Sequence, residues 1–218
     1  MGGLYKLLAK VLANWLKKVV GKVVSSSQNA FVEGRQILNA TLIANKAIDS
    51  MLKSNESGML CKLDIEKAYD NINWKILPLV MRKIGFGEKW AGWIICCIST
   101  MTFSILVNGT PSGFFNNTKG LRQGDPFSPY LFVIRMEALS SFINKSMSEG
   151  FLIGCRVKGR GGDGAKITHL LFADDTLLFC EASQDHMAYL SGLLMWFEAI
   201  SELRINLDKN EILLVGRV

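Results

Sequence analysis

Residues 170–179 read LLFADDTLLF, so an adjacent aspartate pair, Asp174 and Asp175, lies in the middle of an apolar run. Two like charges between hydrophobic strands are costly, because they repel each other unless something neutralises them. A hard divalent cation is the most economical neutraliser, and Mg²⁺ usually combines a few protein carboxylates with substrate phosphates. The pair therefore predicts a hairpin tip that helps to bind a metal ion and a phosphorylated substrate.

A third carboxylate follows another apolar run. Residues 59–63 read MLCKL, which is typical of a buried strand, and Asp64 comes directly after them. Asp64 is distant from the aspartate pair in sequence, so only tertiary folding can join them. A strand-end aspartate beside a hairpin-tip pair is the arrangement needed to hold two Mg²⁺ ions, one activating an attacking hydroxyl and one stabilising leaving pyrophosphate.

The periodicity of the apolar residues predicts an α+β chain without repeats or linkers. Helices are expected near 4–20, 36–53, 74–84, 88–100, 130–147 and 184–203. Strands are expected at 59–63, at 102–107 before an Asn-Gly hairpin turn, on both sides of the aspartate pair, at 204–207 and at 211–215. Residues 154–164, which are rich in glycine, are predicted to be a flexible loop.

The bulk composition indicates a globular chain. It has 218 residues, a hydrophobic fraction of 49% and a net charge of +6, and the excess of positive charge modestly favours a polyanionic partner. The cysteines are expected to be reduced thiols without disulfide partners. No apolar run reaches membrane-spanning length and lysines interrupt residues 4–20, so we expect no signal peptide and an intracellular protein, in the nucleus or the cytoplasm. Residues 4–20 fit a packed helix better than a membrane-surface helix.

Several motifs resemble, in order, those of one polymerase family. They are SQNAFVEGR at 27–35, similar to a fingers segment, LDIEKAYD at 63–70, similar to motif A, LRQGDPFSP at 121–129, similar to motif B, FADD at 172–175, similar to motif C, and LRINLDK at 203–209, similar to motif D. The chain thus resembles the reverse transcriptases of non-LTR, LINE-type retrotransposons, in the version common in plants. An aspartate pair alone is weak support, but motifs A to D occurring in order are specific.

The resemblance implies a right-hand polymerase fold, with an antiparallel palm sheet backed by helices. Residues 1–218 would form a reverse transcriptase domain fragment. The fingers would comprise about 1–57 and 73–119, and the palm about 58–72 and 120–218. A thumb and an endonuclease domain are expected to be absent, which predicts a weak grip on the primer–template duplex.

The resemblance also implies an activity, RNA-directed DNA polymerisation, with an RNA template, a DNA primer and a dNTP as partners. Two Mg²⁺ ions, for which Mn²⁺ could substitute, would be held by Asp64, Asp174 and Asp175, with Asp175 the less direct ligand. Lys209 would act as a catalytic residue that places a cation near the triphosphate and protonates pyrophosphate.

Four further residues are implied to bind the dNTP. Tyr69 would stack under the sugar and exclude a 2′-hydroxyl, because an aromatic ring leaves no room and offers no partner for it. Gln123 and Gly124 would line the nucleotide pocket, and Arg35 is a weaker candidate for contacting the triphosphate.

Two alternatives stay open. One is a catalytically inactive retroelement remnant that at most binds nucleic acid. The other, a viral RNA-dependent RNA polymerase, is disfavoured because such enzymes usually carry Gly before the aspartate pair and an acidic or polar residue at the position of Tyr69.

Several prominent residues are expected to be structural. His169 is predicted to be a packed histidine, and Asp125 a turn residue. Trp90, Trp93 and Trp196 are predicted to lie in the core. Arg135 interrupts the apolar helix after motif B, where a small residue is usual, and it needs an acidic partner or a route to solvent.

Overall fold

The computed structural model describes residues 3–54, 57–100, 102–159 and 162–216. The helices are α1 (Gly3–Val23), α2 (Ile37–Ser54), α3 (Leu77–Lys83), α4 (Glu88–Ser99), α5 (Ser128–Ser148) and α6 (Gln184–Ser201). The strands are β1 (Gly58–Glu66), β2 (Thr102–Val107), β3 (Thr110–Asn116), β4 (Cys155–Gly159), β5 (Gly162–Ile167), β6 (His169–Phe172), β7 (Asp175–Glu181), β8 (Arg204–Ile205) and β9 (Glu211–Val215). The prediction of an α+β chain is confirmed.

Strand β1 is the centre of the main sheet. It pairs antiparallel with β7 on one side and with β8 and β9 on the other, and β6 extends the sheet beyond β7. Successive β1 side chains point to opposite faces. Met59, Cys61 and Leu63 point to the main core, where α5 lies, whereas Leu60 points to the opposite face.

Helix α5 lies at the centre of the main core because it is apolar on nearly all sides. Residues 131–137 are all buried, and α5 contacts α1, α3 and α6. A helix of this kind is stable only when other elements surround it. Pro129 lies in its first turn, where the missing backbone N–H costs nothing.

The second face of the sheet is covered at one end and open at the other. Ala44, Ala47 and Met51 of α2 form a smaller core with Leu60 and Phe179, which lie opposite each other on β1 and β7. Further along, the cross-strand pairs are Lys62 with Leu177 and then Asp64 with Asp175, none of which is fully buried. The acidic end of β1 therefore stays accessible from solvent.

One predicted loop is wrong. Residues 154–164 are predicted to be flexible, but 155–159 and 162–167 form the β4–β5 hairpin, with Cys155 opposite Ile167 and Val157 opposite Ala165. The glycines suggested a break, but Cys155, Val157 and Ile167 pack with the smaller core. Tertiary packing supplies the stability that the local sequence lacks.

Two tryptophans also differ from expectation. Trp93 is 57% exposed and Trp196 is 70% exposed, so the prediction that they are core residues is wrong. Trp90 is partly buried against the core, as predicted. Helix α3 begins at Leu77 instead of 74, because the Asn73 side chain accepts a hydrogen bond from the backbone N–H of Lys75 at 2.7 Å and forms a turn. Among the described residues, none of the helices has the length and apolarity required to cross a bilayer.

Candidate active site

The β6–β7 hairpin brings the aspartate pair to the end of β1. Phe172 pairs with Asp175, so Ala173 and Asp174 form a two-residue turn. Ala173 has φ = 55°, a left-handed conformation that is unfavourable for a residue with a Cβ atom. The register between β1 and β7 then places Asp175 directly opposite Asp64. Two carboxylates that are distant in sequence are thus cross-strand neighbours, with a third in the adjacent turn.

The segment after β8 surrounds Asp64. The side-chain amide of Asn206 donates to Oδ2 of Asp64 at 3.2 Å, and the backbone N–H of Asp64 donates to Oδ1 of Asn210 at 3.1 Å. The Nζ atom of Lys209 lies 3.6 Å from Oδ2 of Asp64. The structure therefore brings the predicted catalytic residues Lys209 and Asp64 together.

Burial and neighbouring like charges both act on Asp175 in this site. The pKa of Asp175 is raised, first by burial and then by the charge of Asp174, with a smaller contribution from Asp64. The cations Lys62 and Lys209 act in the opposite direction and lower it. The three carboxylates therefore interact electrostatically, and the site favours a further positive charge.

The three aspartates suit a hard divalent cation by their chemistry. They supply only oxygen donors, on the accessible end of the sheet, next to a lysine that already neutralises part of the charge. Within the described ranges, no three His, Cys, Asp or Glu side chains form a ready-made metal site. Any divalent cation bound by these aspartates would therefore need further ligands, of the kind that water and phosphate oxygens supply.

Tyr69 lies in the turn that follows β1, and one face of its ring packs against an aromatic side chain of α5. The ring stacks on Phe132 of α5 with a centroid distance of 5.1 Å and an interplanar angle of 14°. Burial raises the pKa of Tyr69, and the charge of Asp174 raises it further. The ring is therefore a rigid, partly buried platform within electrostatic reach of the aspartate pair.

The turn that carries Gln123 and Gly124 begins beside Tyr69. The backbone N–H of Leu121 donates to the carbonyl of Tyr69 at 2.7 Å. Gln123 and Gly124 are exposed, and Gly124 has φ = 81°. Both residues are thus accessible to a ligand. The positive φ at position 124 explains why glycine occupies it.

Arg35 has a structural role. Its Nη1 atom donates to the carbonyls of Ser25 and Gln28 at 2.6 and 2.5 Å. That segment in turn pairs with Leu171 of β6. These contacts do not favour a role in binding triphosphate, which stays a prediction.

Comparison with known proteins identifies the family. A family model described as reverse transcriptase (RNA-dependent DNA polymerase) matches residues 1–216. The chain belongs to the reverse transcriptase family. The resemblance to enzymes of non-LTR retrotransposons is confirmed, since the relatives include proteins of R2 elements.

The relatives are longer than this chain. A retrovirus-related Pol polyprotein from a type-1 retrotransposable element R2 of Popillia japonica is 27% identical over 176 residues, which cover 80% of this chain and 23% of that protein. An uncharacterized mitochondrial protein of Arabidopsis thaliana is 46% identical over 71 residues, or 33% of this chain and 56% of that protein. This reverse transcriptase chain therefore spans only part of the curated relatives that it matches.

The fold agrees with solved structures. The apo telomerase of Candida tropicalis, truncated from its C-terminal domain, superposes with a TM-score of 0.64 at 15% identity, covering 98% of this chain and 40% of that one. At this identity the likeness concerns the fold alone, and it confirms the predicted reverse-transcriptase-like architecture of fingers and palm.

Sequence reasoning missed several residues that shape the site. Asn206 and Asn210 fix Asp64, Lys62 moderates the charge of Asp175, and Phe132 supports Tyr69. The two asparagines flank Lys209 in the printed sequence, so they could have been noticed as polar neighbours of a predicted catalytic residue. The contact with Phe132 has no local signal, because it joins motif A to the helix after motif B.

Proposed function

We propose that this chain supplies the catalytic core of an RNA-directed DNA polymerase of a non-LTR retrotransposon. It would add a dNTP to the 3′-hydroxyl of a DNA primer on an RNA template. The observation that supports this most is the cross-strand pair Asp64–Asp175 beside Asp174, on the open end of the sheet, in a reverse transcriptase family member. Substrates of this kind favour action in the nucleus or the cytoplasm.

Asp64, Asp174 and Asp175 would hold two Mg²⁺ ions, with Mn²⁺ as a possible substitute. When bound, these ions supply acidification of the primer hydroxyl and neutralisation of the leaving pyrophosphate. Asn206 holds Asp64 through Oδ2, which limits the rotation of the carboxylate. The division into fingers at about 1–57 and 73–119, and palm at about 58–72 and 120–218, is part of the same proposal.

The remaining residues would position the nucleotide. The ring of Tyr69, held by Phe132, would support the sugar and leave no room for a 2′-hydroxyl. Gln123 and Gly124 would contact the nucleotide from the neighbouring turn. Lys209, 3.6 Å from Asp64, would deliver positive charge or a proton to the departing pyrophosphate.

Primer extension on an RNA template tests this proposal. With dNTPs and Mg²⁺, the wild-type chain should extend the primer, and Asp64→Asn should lower the rate by at least about a hundredfold, because even indirect metal-site changes cost 10–100-fold. Asp49→Asn, at an exposed carboxylate on α2, is the matched control and should extend normally. Incorporation of NTPs as efficiently as dNTPs would contradict the role of Tyr69.

The inactive-remnant alternative predicts a different result. The wild-type chain would then at most bind the primer–template without extending the primer, and Asp64→Asn would be indistinguishable from it. Binding is measured in the same samples with a fluorescently labelled primer–template. Extension by both proteins at equal rates would exclude Asp64 from catalysis.

A further inference from the structure

The turn of residues 121–126 is tied to the active site at its first end. Leu121 bonds to the carbonyl of Tyr69, and the indole N–H of Trp74 donates to the carbonyl of Gly120 at 2.7 Å. Between Leu121 and Asp125, residues 122–124 are exposed. A turn whose middle is exposed needs a second anchor if its side chains are to keep a fixed direction.

The second anchor is a hydrogen bond to α1. The hydroxyl of Tyr5 donates to Oδ2 of Asp125, which is 5% exposed. Asp125 also closes the turn through its backbone, because its N–H donates to the carbonyl of Arg122 at 3.3 Å and its carbonyl accepts from Ser128 at 3.2 Å. Burial and the bond to Asp125 raise the pKa of Tyr5, so the hydroxyl keeps its proton.

The bond lies directly beside the residues that would bind the nucleotide. Tyr5, Gln123, Gly124 and Asp125 line one groove of about 520 Å³ between α1 and the turn. The other carboxylate oxygen of Asp125, Oδ1, is buried and has no hydrogen-bond partner among the described residues. The carboxylate is therefore poorly compensated for its burial, and loss of the Tyr5 hydroxyl would leave it with a larger penalty.

We infer that Tyr5 is a positioning residue, which holds the turn bearing Gln123 and Gly124 in its nucleotide-binding geometry through Asp125. The sequence alone suggested only a turn role for Asp125. The bond adds a link from the first helix of the chain to the nucleotide pocket. This inference rests on the proposed function only in naming the ligand of the turn as a dNTP.

Hydrogen exchange of backbone amides tests the positioning in the full chain without substrate. Tyr5→Phe should speed exchange about tenfold at the hydrogen-bonded amides of Asp125 and Ser128, the size expected for one bond to a charged acceptor, and leave 58–66 unchanged. Tyr189→Phe is the matched control, since it also removes a hydroxyl from a part-buried bond, to Ser146 at 3.2 Å. Unchanged exchange at the turn, or equal acceleration throughout the chain, would overturn the inference.

A double-mutant cycle distinguishes loss of the Tyr5–Asp125 hydrogen bond from a general loss of stability. Asp125→Ala removes the same bond from the other side, so the two substitutions together should speed exchange at the turn little more than either alone. Asp125→Asn keeps an oxygen acceptor and should restore most of the protection that Asp125→Ala loses. Additive effects of Tyr5→Phe and Asp125→Ala would show that the residues act separately.

Primer extension then tests whether Tyr5 affects the binding of dNTP. Tyr5→Phe should raise the KM for dNTP about fivefold to tenfold and change kcat less than about twofold, because the turn is loosened before the nucleotide binds. An unchanged KM in an active chain would overturn the link to the nucleotide pocket. If the wild-type chain extends no primer, the proposed function fails, whereas the exchange experiment still decides whether Tyr5 positions the turn.

Discussion

Asp64 on β1 and Asp175 on β7 lie directly opposite each other on neighbouring antiparallel strands. Like charges in this relationship destabilise a sheet, so the pair costs folding free energy in the absence of a cation. The effect is seen at Asp175, whose pKa is raised by burial and by the charges of Asp174 and Asp64. A site that is unfavourable for folding and suited to a cation is typical of function built into a stable scaffold.

Replacing Asp175 should therefore stabilise the metal-free chain. Because the pKa of Asp175 is raised in the fold, the folded state binds the proton more tightly, and stability falls as pH rises above the ordinary value of 3.8. Asp175→Asn should raise the free energy of unfolding at pH 7 by about 0.2–1 kcal/mol, a small value because water screens the pair. The gain should vanish near pH 3.

Urea denaturation at both pH values measures this difference, with Asp49→Asn as the control for loss of an exposed carboxylate. Added Mg²⁺ should reverse the order of stability, because it binds the wild-type site more tightly than the variant. A variant less stable than the wild type in metal-free buffer at pH 7 would contradict the repulsion argument.

The sequence predicted the residues of the site better than their contacts. The apolar runs around Asp64 and Asp174 have a strand pattern that can be read locally, and the turn between the two runs that flank the aspartate pair is short. The register that sets Asp64 against Asp175, instead of Asp174, depends on the whole β1–β7 ladder. A single-residue slip would turn every side chain to the other face, and no local signal distinguishes the two registers.

Long-range contacts explain the other differences. The β4–β5 hairpin exists because α2 covers it, and Trp196 is exposed because the buried side of α6 is formed by Leu190, Leu193 and Phe197. The hairpin depends on where α2 packs, and the exposure of Trp196 depends on which face of α6 is buried. Helical periodicity places an apolar stripe, but a helix that is apolar on several sides leaves that choice to tertiary packing.

Arg135 should be a source of instability. It is completely buried in α5, and its Nε and Nη2 atoms have no hydrogen-bond partner among the described residues. Burial lowers the pKa of Arg135 to about 10, and the charge of Glu202 only partly offsets this effect. Glu137, the acidic residue two positions further along α5, accepts a hydrogen bond from the backbone N–H of Ser25. Arg135→Met should therefore raise the free energy of unfolding by about 1–4 kcal/mol.

The control for Arg135 is Arg82→Met. Arg82 forms an exposed pair with Glu88 at 2.8 Å, so its loss should cost at most about 1 kcal/mol. Urea denaturation of both variants compares the same substitution in buried and exposed settings. A destabilised Arg135→Met would mean that the guanidinium is compensated within the fold.

His169 should make the fold sensitive to acid. It is 1% exposed, and its ring nitrogens lie 2.7 Å from the Ser140 hydroxyl and 2.8 Å from the Thr168 hydroxyl, as expected for a packed histidine. Burial lowers the pKa of His169 to about 4. Between the ordinary value of 6.5 and about 4 the unfolded chain binds more protons, so stability should fall as pH falls, by roughly 3 kcal/mol in total.

Comparison with His169→Gln isolates this contribution, because glutamine does not titrate. Urea denaturation at several pH values from 7 to 4 should give a shallower pH dependence for His169→Gln than for the wild type. His186→Gln, at the other histidine of the chain, is measured alongside as the control for the substitution itself. Equal slopes for His169→Gln and the wild type would rule out His169 as the source.

Gly120 is required for the close approach between motifs A and B. It has φ = 88°, and a Cβ atom there would lie 2.8 Å from the carbonyl oxygen of Asp70, a backbone atom that cannot move aside alone. Gly120→Ala should cost about 1–2 kcal/mol for the left-handed conformation and about 1–3 kcal/mol more for overpacking. Gly124→Ala, with φ = 81° and nothing within 4 Å of its Cβ position, should cost only the first amount.

The difference between the two glycine variants in urea denaturation therefore measures the contact alone. A Cβ atom at position 120 should shift the backbone there. Because Leu121 follows Gly120 and its N–H donates to the carbonyl of Tyr69, the shift should also move Tyr69. Hydrogen exchange should then accelerate at Leu121 in Gly120→Ala and remain at the wild-type rate there in Gly124→Ala. Equal losses of stability in both variants would show that the chain relieves the clash without disturbing Tyr69.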